Sequence, residues 1–265
     1  MEIRTKGATI RVKEQGQGEL TLVFLHYYGG SSRTWDGVVG ELTDEYRTVA
    51  YDHRGWGESS APENGYAVVD LANDAQEVIE ALELCRYVVV GHSMGGKVSQ
   101  LLASRRPRGL EGVVLVASAP PTPMMLPAEE REVIAKIYDT RESIEQALDN
   151  VLTANRLPPE LREQVIADSL RGAPQAKAGW PKVAMLEDIT ADVASINVPV
   201  LVIAGERDQV DQVATLEKEL VSRIAGARLQ VLPGVGHLSP LEAPIALAAL
   251  IREFVGGLQT TAWLQ

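Results

Sequence analysis

The stretch Tyr87-Val88-Val89-Val90-Gly91-His92-Ser93-Met94-Gly95-Gly96 allows few folds. A β-branched run ends in Gly-x-Ser-x-Gly, and an amphipathic segment, Lys97 to Arg106, follows at once. The pattern predicts a strand, a sharp turn and a helix, with a serine at the apex. At so tight a turn a Cβ on residue 91 or 95 collides with neighbouring backbone, which is the physical reason for both glycines. The turn lifts Ser93 Oγ out of the sheet and sets it at a helix N-terminus, where free N–H groups and the helix dipole favour negative charge. The plainer reading is a glycine-rich turn whose serine only caps the helix; the strand before it and the helix after it weigh against that reading.

Of the 265 residues 45% are hydrophobic and 23% charged, with a net charge of −11. That is the composition of a soluble globular protein with a sizeable core, built as one α/β domain with an insertion or as two small domains. The acidic balance argues against nucleic acid or an anionic membrane surface as partner. Cys85 is the single cysteine, which excludes an internal disulfide; at the end of an apolar helical face it reads as a buried structural thiol. No signal-peptide h-region follows Met1, and the longest apolar runs, Thr21 to Leu25 and Ile245 to Ile251, are too short to span a bilayer. The expected location is the cytoplasm.

In chain order, residues 2 to 14 predict two antiparallel strands turning at Lys6-Gly7. Thr21 to Leu25 predicts a strand buried on both faces, running into the loop His26-Tyr27-Tyr28-Gly29-Gly30-Ser31-Ser32 and a helix near Trp35 to Leu42. Tyr46 to Tyr51 is the next strand, ending in Asp52-His53-Arg54-Gly55-Trp56-Gly57-Glu58-Ser59. Leu71, Ala75, Val78 and Leu82 fall at helical spacing within a helix from Val69 to Leu84. After the nucleophile strand and a further strand, Val113 to Ala117, the alternation stops. Residues 119 to 188 hold only helical stretches: Ala128 to Tyr138, Ser143 to Thr153, Pro159 to Leu170 and Gln175 to Leu186. Strand and helix resume with Val198 to Gly205, a helix from Asp211 to Ile224, the strand Arg228 to Leu232 and a helix from Pro244 to Val255. This is an α/β protein with a mostly parallel, eight-stranded sheet covered on both faces. Its core is formed by 1–118 and 189–265, and 119–188 is a helical cap leaving the sheet at the edge where ligands bind. The tail from Gln259 to Gln265, with Trp263, supports no reading.

Serine needs a base, and the base needs a group to orient it. Asp208 follows the strand ending at Gly205, and His237 follows the last strand in Gly234-Val235-Gly236-His237, whose small residues let the loop reach back towards Ser93. Serine, then aspartate, then histidine is the chain order of this architecture. Asp211 competes with Asp208; Asp211 is assigned to the helix cap and Asp208 to the triad. His92 is too close to Ser93 in the chain to serve as its base, and His26 and His53, at strand ends, are read as loop ties. No histidine pair has metal-ligand spacing and no phosphate-binding glycine motif occurs, so neither a metal nor another cofactor is expected. An oxyanion needs two N–H donors: the backbone of Met94, and a second in the loop 26–30.

The chain resembles the α/β-hydrolase superfamily over its whole length, and is most similar to the capped serine-hydrolase branch of esterases and cofactor-free haloperoxidases. Gly-His-Ser-Met-Gly-Gly at 91–96, Asp52 to Ser59 and Gly234 to His237 carry the resemblance. Matching the family's His-Gly-x-Gly oxyanion loop gives Tyr28 the second donor, with Tyr27 standing where that family has glycine. Ser93 argues against the dehalogenase and epoxide-hydrolase members, which use an aspartate nucleophile. His92 argues against the carbon–carbon hydrolases, which carry asparagine before the serine. The resemblance implies a hydrolase of small to medium hydrophobic esters or lactones acting through an acyl–Ser93 intermediate. The alternatives are carbon–carbon hydrolysis or haloperoxidase/perhydrolase chemistry on the same triad, or a ligand receptor that keeps only the fold. Tyr27, Trp35, Met124, Met125, Trp180 and Leu238 are candidate pocket walls, each equally able to be core. Lys97 is read as part of a solvated helix face and Arg54 as a loop salt bridge.

Overall fold

A computed structural model describes the backbone of residues 1–262 and the side chains of residues 1–258; Trp263 lies outside the described residues. Eight strands form one sheet in the order β1-β2-β4-β3-β5-β6-β7-β8. They are β1 (Glu2–Arg4), β2 (Thr9–Gln15), β3 (Thr21–Leu25), β4 (Arg47–Tyr51), β5 (Tyr87–His92), β6 (Leu110–Val116), β7 (Val200–Gly205) and β8 (Arg228–Leu232). The first two pairings, β1 with β2 and β2 with β4, are antiparallel; all the others are parallel.

The central strands are buried on both sides, and their residues alternate between two cores as a period of two requires. Val23 and Leu25, Val89, Leu115 and Val202 face one cluster; Leu22 and Phe24, Val90, Val114 and Ile203 face the other. Helices α1 (Asp36–Gly40), α2 (Val68–Ala81) and α3 (Met94–Ser104) follow β3, β4 and β5. Leu71 and Val78 of α2 and Val98 and Leu102 of α3 cover the first face. The second face is covered by Val38 and Val39 of α1 with Leu247, Ile251 and Val255, which belong to the C-terminal helix.

Between β6 and β7 the chain forms a cap of α4 (Ala128–Lys136), α5 (Arg141–Ala147), α6 (Pro159–Arg171) and α7 (Pro174–Lys182), then α8 (Thr190–Val193). The predicted helix over 143–153 is in fact α5 followed by a π turn, Leu148–Leu152. The helix predicted from Asp211 to Ile224 is likewise α9 (Val213–Leu216) continued by a π turn, Glu217–Val221. Helices α10 (Ser239–Glu242) and α11 (Pro244–Ala262) end the described chain. No described helix is long and apolar enough to cross a membrane.

Three buried charges position the site side of the sheet. Arg54 and Asp74 form a bidentate pair at 2.6 and 2.8 Å, and Thr5 Oγ1 donates to the same carboxylate at 2.6 Å. This is the salt bridge expected of Arg54, tying the β4 loop to α2. Lys97 departs from expectation. It is fully buried (0% exposed), and its Nζ donates to Glu187 O at 2.6 Å and Thr122 O at 3.4 Å. One ammonium thus joins the outgoing and returning ends of the cap, and burial pushes its pKa down to about 8. Cys85 also departs from expectation: it is exposed, because α2 ends at Ala81 and the thiol sits in the following turn rather than on the apolar face.

Asp74→Ala leaves the buried Arg54 guanidinium without its carboxylate, and is expected to destabilise the fold by about 3–5 kcal/mol in urea unfolding. A loss under 1 kcal/mol would show that this pair contributes no more than an ordinary surface bridge does.

Candidate active site

At the end of β5 the backbone of Ser93 adopts φ 52° and ψ −115°, a region that costs a non-glycine residue about 1–3 kcal/mol. The neighbours hold it there. Ser93 N–H donates to Val116 O at 3.0 Å, and Ser93 O accepts from Gly96 N and Ala119 N at 2.9 and 3.1 Å. The glycines work as the sequence implies. A Cβ on Gly91 would lie 2.4 Å from Gly95 O, and one on Gly95 would lie 2.5 Å from Leu25 O.

Two later loops close on this turn. Gly205 ends β7, and a Cβ there would stand 2.5 Å from Gly236 O, so its absence admits the loop after β8. Arg207 N donates to Val235 O at 2.9 Å, lacing the two loops together. His237 Nδ1–H then donates to Asp208 Oδ2 at 2.9 Å, with both side chains almost fully buried. Asp208 Oδ1 accepts from Val210 N and Asp211 N at 2.7 and 3.0 Å, which fixes the carboxylate. Burial alone lowers the His237 pKa, but the Asp208 charge and hydrogen bond, with Asp211 and Glu242 further off, outweigh it; the net shift is upward.

His92 ties these loops to the serine turn. Its Nε2–H donates to His237 O at 2.9 Å, and the two rings lie 5.2 Å apart. Among the described residues neither Ser93 Oγ nor His237 Nε2 has a hydrogen-bond partner, so the Asp208–His237 leg of the expected row is made and the Ser93–His237 leg is open. His26 is the loop tie expected of it: its Nδ1–H donates to Tyr27 O at 2.7 Å and its Nε2 accepts from the His53 backbone N–H at 2.9 Å. The His53 ring departs from that expectation, for both of its nitrogens are buried without a partner among the described residues. Burial lowers the pKa of His26, His53 and His92.

The backbone N–H groups of Tyr28 and Met94 have no acceptor among the described residues. Tyr27, Tyr28, Met94, Trp180 and Leu238 all belong to the apolar cluster on this face, and Met124 packs against it. Two expected pocket walls lie elsewhere. Trp35 is in the cluster on the opposite face, 5.0 Å from the Phe24 ring, because its short helix packs beneath the sheet. Met125 is 79% exposed on the strap leading to the cap. Asp211 is not the helix cap either: Gln212 precedes α9. The Asp211 carboxyl is buried with Oδ2 unpartnered. Burial pushes its pKa up to about 7, against the opposing pull of His237 and with the help of Asp208. Among the described residues no cluster of histidine, cysteine or carboxylates is arranged to hold a metal.

The chain matches the model of the alpha/beta hydrolase family over residues 22–250. It is 30% identical to a non-heme haloperoxidase of Rhodococcus erythropolis over 87% of this chain and 90% of that one. Among solved structures it is similar to a hydrolase from Pseudomonas aeruginosa PA01, at 30% identity, a TM-score of 0.83 and coverage of 97% and 98%. It is also similar to Est816, described as an N-acyl homoserine lactone degrading enzyme, at 28% identity, a TM-score of 0.83 and coverage of 96% and 100%.

The folded chain keeps a proton on Asp211 that the unfolded chain releases above pH ~4. The contribution of this group to stability therefore falls as pH rises from about 4 to about 7. Asp211→Asn removes that titration, so its stability relative to wild type should rise across the window by on the order of 2–4 kcal/mol in urea melts. Parallel pH profiles for the two proteins would contradict the assignment.

Proposed function

The chain belongs to the alpha/beta hydrolase family, in its esterase, lipase and haloperoxidase branch, and on that premise we propose that it hydrolyses carboxylic esters or lactones of small to medium hydrophobic compounds through an acyl–Ser93 intermediate. The observation that carries the reading is the buried His237–Asp208 hydrogen bond of 2.9 Å, held by His92 against the strained serine turn. With Nδ1–H committed to Asp208, the lone pair of Nε2 is the base. Ser93 Oγ attacks the carbonyl carbon as its proton passes to Nε2, and the open leg tightens when substrate fills the site.

The charge that develops on the carbonyl oxygen is met by the free N–H groups of Met94 and Tyr28. The first is favoured by the N-terminus of α3 and the second by His26: the Tyr27 carbonyl and the Tyr28 N–H share one trans peptide and point opposite ways, so the bond from His26 sets the direction of the donor. Collapse expels the alcohol, which takes the proton from Nε2. Water, activated by the same nitrogen, then releases the acid. The apolar cluster around Tyr27, Trp180 and Leu238 supports a hydrophobic acyl or alkyl group, and the resemblance to Est816 supports including lactones. No metal or other cofactor takes part in this scheme, and its partner is the small-molecule substrate.

Wild type should turn over p-nitrophenyl acetate and butyrate, and Ser93→Ala should lose about 10³-fold or more in kcat/KM. A fluorophosphonate should label Ser93. Because the base must be neutral, kcat/KM should fall with acid through a His237 pKa above its ordinary value near 6.5. Two equally inert proteins would favour a ligand-binding protein of this fold; an adduct on another residue would remove Ser93 from the mechanism.

A further inference from the structure

Every polar atom of Tyr28 except its backbone N–H is held by the cap. Its carbonyl accepts from Tyr138 Oη–H at 2.8 Å, and its own hydroxyl donates to Lys177 O at 2.6 Å and more weakly to Ile134 O at 3.2 Å. The next carbonyl, Gly29 O, accepts from Ser169 Oγ–H at 2.8 Å. Two residues on, Ser31 Oγ donates to Asp168 at 2.8 Å, and Arg33 pairs with the same carboxylate. Tyr138 is itself fixed from within the cap, since the Lys177 ammonium donates to its carbonyl at 2.8 Å. The Tyr28 and Tyr138 rings lie 5.0 Å apart. Gly29 has φ 96°, and a Cβ on it would stand 2.3 Å from the Tyr138 ring, so the loop and the cap are in direct contact.

The core holds the other side of the same residue through His26, which binds the Tyr27 carbonyl. Peptide units are rigid planes. The Tyr28 N–H lies in the plane of the Tyr27 carbonyl, which His26 holds; Tyr138 holds the next plane through the Tyr28 carbonyl, and so braces the donor's plane at the Tyr28 Cα against rocking about its hydrogen bond. One of these two anchors is the core and the other is the cap.

We propose that Tyr138 and Ser169 of the cap are positioning residues for the oxyanion site, aligning the Tyr28 N–H when the cap sits closed over Ser93. The inference rests on the serine-hydrolase reading above. It makes the hole a joint product of the two parts of the molecule: substrate entry that lifts the cap slackens the donor, and closure restores it. Neither side chain touches the reacting atoms; each acts through the loop backbone.

The test uses full-length Tyr138→Phe and Ser169→Ala, each removing one hydroxyl, with p-nitrophenyl butyrate as substrate and phenylboronic acid as probe. On binding, Ser93 Oγ bonds to boron, its proton passes to His237, and the now tetrahedral, anionic boron places an oxygen where the oxyanion forms. A well-placed donor is worth roughly 10²–10³ in kcat, so a slackened one should lower kcat by about tenfold with KM within about twofold. Phenylboronic acid affinity should fall by the same factor as kcat. Wild-type kcat and boronate affinity in both variants would overturn the proposal, and so would a fall in kcat without a matching loss of boronate affinity, which would mean that the cap governs entry only. If Tyr138→Phe fails to fold, Ser169→Ala carries the same comparison. Wild type that neither hydrolyses the ester nor binds the boronate would overturn the serine-hydrolase reading itself, and this inference with it.

Discussion

The backbone of one residue, Ser93, sits where an L-amino acid is least comfortable, and the structure around it is what makes that position stable. Strain of about 1–3 kcal/mol persists only where the surroundings over-determine it. Here β5 lies between β3 and β6 at the centre of a parallel sheet, with three backbone hydrogen bonds to Val116, Ala119 and Gly96 at the apex. Glycines at 91 and 95 leave room for the backbone of the turn and of β3 to approach. The same turn begins α3, so the hydroxyl at its apex and the free Met94 N–H are two results of one conformation. Moving the serine to an unstrained strand end would lose both.

Around that turn the chain buries four histidines and a lysine, and each is set apart by its partners. Three of four histidines are buried without a hydrogen-bonded carboxylate, and burial keeps them neutral. The fourth, His237, is also buried but has Asp208 at 2.9 Å, and its pKa moves the other way. A charge partner, rather than exposure, sets His237 apart from the other three histidines. Lys97 follows the same logic in reverse: carbonyls solvate its ammonium, burial lowers its pKa to about 8, and its work is to close the neck of the cap.

Local pattern was a good guide wherever a residue's role depends on its neighbours in the chain. The Gly-x-Ser-x-Gly turn, the doubly buried strands and the cap between β6 and β7 follow from periodicity and glycine placement, which act over a few residues. The meeting of Asp208 and His237 was legible because each sits just past a strand whose end the pattern marks. Two of the departures share one cause. Lys97 has the spacing of a solvated helix face, yet the cap returns over it at Glu187, 90 residues away. Trp35 ends a short 3-10 helix, Ser32–Trp35, whose side of the sheet no local signal specifies, so an aromatic beside the loop 26–32 packs in the opposite core. Cys85 failed for the opposite reason, a helix ending three residues earlier than its apolar spacing suggested.

By itself, then, the amino-acid sequence determined the sheet, the insertion of the cap and the placement of Ser93, Asp208 and His237 just past the ends of three strands, because strand periodicity, turn sterics and loop position are short-range properties. Only the tertiary structure decided how those residues are supported. The His92 bond to His237 and the Tyr138 and Ser169 bonds to the Tyr28 loop join segments up to 145 residues apart in the chain. Hydrogen bonds across such separations form where backbone geometry happens to bring a donor to an acceptor, and nothing in the spacing of either partner records it.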